Sequence, residues 1–129
     1  MPLKKDPKMM GPNQAISDKV LELLKDREDA ATRPDSEWAK LRARAYAEDN
    51  IMDGAAITCA QYVIKHGSIE PIERRVLELL GTQEINKLES ILDWKEARSS
   101  YWTKGDLLTV AAMAYIEHLF HYRPRYHRV

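Results

Sequence analysis

The chain has 129 residues, 20 basic and 20 acidic side chains and a hydrophobic fraction of 44%, a balance that suits one packed domain and excludes both general disorder and a uniformly basic nucleic-acid surface. Its one cysteine, Cys59, excludes an internal disulfide framework and fits a reducing compartment, here expected to be the cytoplasm. The opening MPLKKDPKMM lacks the apolar run of a secretory signal, and the most apolar stretch, Leu107 to Phe120, is interrupted by Thr109, Glu117 and His118 and falls short of the about 20 residues a bilayer span needs.

Residues 1–13 contain Pro2, Pro7, Gly11 and Pro12; that composition breaks helices and strands, so an extended arm is expected. From Asn13 as N-cap, Ile16, Val20, Leu23 and Leu24 fall on one helical stripe. Pro34 ends this helix by disfavouring helical geometry in the residue before it. A second helix begins at Asp35 or Ser36. Its stripe of Trp38, Leu41 and Ala45, then Met52, Ala55, Ala56, Cys59 and Val63, leads to about His66. Either one long helix or a break between Glu48 and Gly54 satisfies that spacing; Gly54 costs about 1 kcal/mol relative to alanine in a continuous helix. The small residues of the second half allow a neighbouring helix to approach closely, and Gly67 suits the position just past a helix end.

Ser68, Pro71 and Gly81 bound a third helix with Ile69, Ile72, Val76 and Leu80 on its inner stripe. Glu70, Arg74 and Glu78 form i,i+4 pairs on its wet face. Thr82 opens a fourth helix with Ile85, Leu88, Ile91 and Leu92 buried, reaching about Arg98, and SSYW reads as a linker. Thr103 and Asp106 spell a capping box for the last helix, which runs to about Tyr122 and is stopped by Pro124. This helix is apolar almost all round, the mark of a buried central element. No strand, internal repeat or low-complexity segment is read. The expected architecture is all-α: a single-domain bundle of about five helices over residues 14–122, between an extended arm at 1–13 and a basic, aromatic tail at 123–129.

Few constellations point to chemistry. The five glycines have no phosphate-loop spacing. Cys59 lies on an apolar stripe and reads as packing rather than as a nucleophile. Glu117, His118 and His121 share a helix edge and could hold a metal, but the order is not that of a zinc protease; the simpler reading is a solvated glutamate and histidines favouring a helix C-terminus. Glu48 falls where the stripe expects an apolar residue, and a helix kink that turns it to water is the expected outcome. ERRVLELLGTQEINKLESILD resembles a helix-turn-helix in outline, yet its second helix carries Glu84, Glu89 and Asp93 against Lys87, a surface that phosphates repel.

Charge is uneven along the chain. Residues 35–97 carry 8 basic and 12 acidic side chains, and residues 98–129 carry 5 basic and 2 acidic. The ending HYRPRYHRV pairs Tyr122 and Tyr126 with Arg123, Arg125 and Arg128, a composition favoured in interface anchors. Trp94, Tyr101 and Trp102 join them as candidate contact aromatics. The expected function is that of a non-enzymatic helical subunit docking through its terminal arms onto protein partners or identical subunits. A nucleic-acid accessory role for the basic tail is the alternative, and a metal-binding bundle is the second alternative. No catalytic residue, metal ligand or cofactor is assigned.

Overall fold

Eight α-helices and no strand make up the described residues of the computed structural model, which comprise the backbone of residues 7–127 and the side chains of residues 15–120. In chain order they are α1 (Pro7–Leu23), α2 (Arg27–Thr32), α3 (Asp35–Ala47), α4 (Ile51–His66), α5 (Glu70–Leu80), α6 (Gln83–Asn86), α7 (Ile91–Thr103) and α8 (Leu107–His127). The all-α class stands. Five expected helices become eight because the chain stops and restarts at three further places, each by a local capping device.

Asp26 caps α2 by accepting the Asp29 N–H at 3.0 Å. Asp49 at φ 61° ends α3: its N–H and that of Asn50 donate to the carbonyls of Tyr46 and Ala45, and Asn50 then accepts the Asp53 N–H at 3.1 Å to open α4. This is a left-handed helix cap running straight into an N-cap. It turns Glu48 to solvent, as a break there requires. The third restart is at Ser90, whose hydroxyl accepts the Asp93 N–H while Asp93 accepts the N–H of Ser90, a complete capping box. The expected fourth helix is thereby split, Ile91 and Leu92 sit on the exposed first turn of α7 rather than in the core, and SSYW is helical rather than a linker. The last helix is capped by Asp106, which accepts the N–H and hydroxyl of Thr109; Thr103 belongs to the end of α7 and takes no part.

The arms are also shorter than expected. α1 starts at Pro7 and α8 passes Pro124 to reach His127. Proline's fixed φ is itself helical, so its effect inside a helix is a lost N–H donor and local crowding, not an obligatory stop. The side chains of 1–14 and 121–129 lie outside the described residues, and with them those of Tyr122, Arg123, Arg125, Tyr126 and Arg128.

The eight helices fall into two matching runs of four, which corrects the expectation of no internal repeat. α1 to α4 recur as α5 to α8 at a shift of 56 residues without a gap: VLELL stands at 20–24 and at 76–80, Trp38 matches Trp94, Arg42 matches Arg98, and Ala55-Ala56 matches Ala111-Ala112. The corners repeat too. As Asp49 and Asn50 join α3 to α4, Gly105 (φ 75°) and Asp106 join α7 to α8, with the N–H of Asp106 on the Tyr101 carbonyl and that of Gly105 on Trp102. Packing is reciprocal: α3 and α1 lie on α4 as α7 and α5 lie on α8, and α4 packs against α8 at the centre.

The core follows. Gly54 to Val63 of α4 and Thr109 to His118 of α8 are buried throughout, and Ala55, Ala56, Ala111 and Ala112 let the two helices meet closely. Trp38 and Trp94 close the core at matching positions, each fully buried. Among the described residues no helix is long and apolar enough to cross a membrane.

Candidate functional site

A cleft rich in charged and aromatic side chains lies where the two repeats face each other. It has a volume of about 300 Å³ and is lined by Ala39, Arg42, Ala43 and Tyr46 of α3, Lys95, Arg98, Ser99 and Trp102 of α7, and Val110. At the 56-residue shift, Ala39 matches Lys95, Arg42 matches Arg98, Ala43 matches Ser99 and Tyr46 matches Trp102. Apart from Val110, the lining is thus one set of four positions contributed twice.

The two arginines cross over. The Arg42 guanidinium stands 4.3 Å above the ring of Trp102, and that of Arg98 stands 4.2 Å above the ring of Tyr46. Position 42 touching the mate of position 46, and the mate of position 42 touching position 46, is the reciprocal pattern of twofold symmetry. The cleft therefore sits on a pseudo-twofold axis. Each guanidinium also reaches inward to the central helix of its own repeat: Arg42 donates to Gln61 Oε1 of α4 at 2.8 Å, and Arg98 donates to Glu117 Oε1 of α8. Gln61 and Glu117 are themselves matching positions, both buried. Planar guanidinium groups stacked on rings and pinned from behind lose little further freedom when they bind.

The electrostatics are lopsided. Arg98 has a carboxylate partner and Arg42 a neutral amide. Burial, with neighbouring Arg98 adding to it, lowers the pKa of Arg42. Burial raises that of Glu117, against the pull of Arg98. Asp35 lies near Arg42, but Lys65 holds it at 2.9 Å and keeps its carboxyl below the usual range. No carboxylate lines the cleft itself among the described residues.

One asymmetry has a clear cause. The hydroxyl end of the Tyr46 ring lies against Gly54, where an added Cβ would come within 2.6 Å of the ring. The matching residue of Gly54 is Val110, and the matching ring, Trp102, stays 42% exposed. Tyr46 is consequently drawn in: its hydroxyl is buried without a hydrogen-bond partner, and burial pushes its pKa up.

The sequence-predicted sites scatter. Trp94 is in the core, edge-on to Phe120 at 5.6 Å, and offers no contact surface. Its place off the apparent stripe came from reading α6 and α7 as one helix. Tyr101 is half-buried and donates its hydroxyl to Glu84 at 3.0 Å. Trp102 alone of the three aromatics reaches the cleft. Glu117 is not solvated; it is buried against Arg98, and no group of three or more metal-ligating side chains occurs among the described residues, outside which the side chain of His121 lies. Cys59 is fully buried, and burial raises its thiol pKa to about 12. Sequence reasoning missed Arg42, Arg98 and Gln61. Their signal was the spacing Trp-x-x-x-Arg, present twice.

A second feature is an apolar end on the second repeat. Leu77 and Leu80 of α5 border a groove with Tyr115 and Leu119 of α8, and Ile91 and Leu92 open α7. Leu77, Leu80, Ile91 and Leu92 are 40–72% exposed. The contact of Trp94 with Phe120 sets the start of α7 beside the stretch of α8 that continues to His127. Comparison with protein families, curated proteins and solved structures returns no match to this chain.

Proposed function

We propose that the protein is a non-enzymatic helical docking subunit, and that it contacts other proteins of an assembly through the apolar end of its second repeat and the α8 segment leaving from it. The supporting observation is the difference between the repeats at matching positions. Ile91 and Leu92 stand where the first repeat has Asp35 and Ser36, and Leu80 is 40% exposed where Leu24 is buried. At these three positions the second repeat exposes a large apolar side chain where the first does not, while Leu77 and its mate Leu21 are exposed alike, so the fold alone does not demand Leu80, Ile91 and Leu92 at the surface. Large apolar side chains exposed beyond what the scaffold requires are a usual mark of a contact surface. The tail residues Tyr122, Arg123, Arg125, Tyr126 and Arg128 extend this reading as anchors, and the cytoplasm is the compartment it assumes.

The test exchanges repeat-two residues for those of repeat one. Ile91→Asp with Leu92→Ser removes two apolar contacts worth about 1.5–3 kcal/mol each if buried in a complex. Affinity purification from the native source, with intact-mass measurement, should recover wild type in a complex of fixed stoichiometry and the double variant alone. Far-UV circular dichroism of the two should coincide. Equal recovery of the same partners by both proteins would overturn the proposal.

A further inference from the structure

The cleft on the pseudo-twofold axis has a separate meaning. We infer that it is a binding site for a phosphate dianion, free or as the ester of a small flat molecule, held between Arg42 and Arg98.

Charge carries the first step. Arg42, Arg98 and Lys95 bring three positive charges to the cleft, and Glu117 behind Arg98 returns one negative charge. Asp35 is matched by Lys65 outside the cleft. The remaining excess is that of two cations on one small volume with low-dielectric walls, where a dianion is favoured. Two guanidinium groups facing one cavity also repel each other until an anion lies between them.

Geometry carries the second step. Each guanidinium has five N–H donors in a fork suited to phosphate oxygens. Gln61 and Glu117 hold Arg42 and Arg98 from behind, while Trp102 and Tyr46 hold them from the side. The two forks are thus set before a ligand arrives. Lys95 adds an exposed charge at the rim, and Ser99 adds a hydroxyl donor. The volume of about 300 Å³ is at the lower end of small-molecule sites, roughly 300–1,000 Å³, so there is room beside a phosphate for an organic group against the exposed part of Trp102.

The repeat comparison carries the third step. Positions 39 and 43 are alanine in the first repeat, and their mates in the second are Lys95 and Ser99. Neither is needed for packing, since both are exposed. The second repeat adds a cation and a hydroxyl to the same cleft into which both arginines face.

Isothermal titration calorimetry with inorganic phosphate and with phenyl phosphate tests this on the full chain. Wild type should bind at least one of them at one site per chain. Tighter binding of phenyl phosphate identifies an ester as the ligand class, and equal binding identifies phosphate alone. Arg42→Gln should weaken binding about tenfold or more, the loss of charge-assisted hydrogen bonds. Lys95→Ala copies the first repeat at an exposed position, leaves the fold intact and should weaken binding about twofold to fivefold. Absence of heat with both probes at millimolar concentration would overturn the inference. So would equal affinity of wild type, Lys95→Ala and a folded Arg42→Gln, which would place the anion elsewhere.

Discussion

Gly54 gives the sharpest structural test, because two effects of opposite sign meet there. Replacing glycine by alanine inside a helix normally stabilises by about 1 kcal/mol, and α4 is helical on both sides of Gly54. Here the new Cβ would lie 2.6, 2.8 and 2.9 Å from three ring atoms of Tyr46, far inside the roughly 3.5–4.0 Å optimum between carbon atoms. The ring has little room to retreat, because the Arg98 guanidinium lies 4.2 Å from its centroid. Overpacking of this kind costs about 1–3 kcal/mol, and displacing the stacked arginine adds about 0.5–2 kcal/mol. The net expectation for Gly54→Ala is a destabilisation of about 0.5–4 kcal/mol, with a fall in Tm of about 3–6 °C for each kcal/mol in a domain of this size. Urea denaturation measures it directly. Pairing it with Tyr46→Leu in a double-mutant cycle isolates the clash: with the ring gone, Gly54→Ala should become neutral or stabilising. A gain of about 1 kcal/mol in the wild-type background would refute the packing of Tyr46 against Gly54 and the account of why Trp102 stays outside.

The remaining predictions concern the buried pair and the corners. Glu117→Ala strands Arg98 and should cost about 3–5 kcal/mol, whereas Glu117→Gln copies the Arg42–Gln61 arrangement and should cost distinctly less, as read by urea midpoints. The raised Glu117 pKa means that the folded state keeps this proton to higher pH than the unfolded chain does. Stability from this group is then full below the ordinary glutamate range and is lost as pH rises through the folded pKa; that decline should disappear in Glu117→Gln across a series from about pH 4 to 8. Asp49 occupies a left-handed conformation that Gly105 fills in the second repeat, so Asp49→Gly should raise stability by up to about 1 kcal/mol and Gly105→Ala should lower it by about 1–2 kcal/mol, both measurable by thermal melting.

The helical class, the central buried α8, the left-handed Gly67 and the inert Cys59 were all legible in local pattern. Those signals depend on one helix or one residue at a time. The breaks were harder, because they rest on side chains answering backbone groups: Ser90 with Asp93 spells a capping box, but the apolar series Ile85, Leu88, Ile91 and Leu92 ran through it and masked it. The same misreading placed Trp94 off its stripe and outside the core. The break between α3 and α4 falls in the window between Glu48 and Gly54 that the spacing allowed, but its exact place was obscured because a non-glycine residue, Asp49, takes the left-handed position. The cleft was the least legible part. Arg42 and Arg98 are ordinary charged residues on their own helices, and only the folding of α3 against α7 stacks each on a ring of the other repeat.

The two repeats also act as a control on each other, and this bears on which residues serve the fold. Core needs are shared, so a residue kept for packing should be matched by another of similar burial. Trp38 and Trp94 obey that rule, as do Ile16 and Ile72. Arg42 and Arg98 do not fit it so simply: both remain arginine although the inner partner changes from Gln61 to Glu117 and the stacking ring from Trp102 to Tyr46. A guanidinium retained only to neutralise a buried acid would have no reason to stay opposite a neutral amide. What the two arginines share is the cleft they face. The side chains around them then diverge in one direction, alanine in one repeat against lysine and serine in the other. The surface residues diverge likewise, Asp35 and Ser36 against Ile91 and Leu92. The scaffold is therefore symmetric where it packs and asymmetric at the cleft rim and the exposed end, and those two asymmetric places are where ligand and partner are separately proposed.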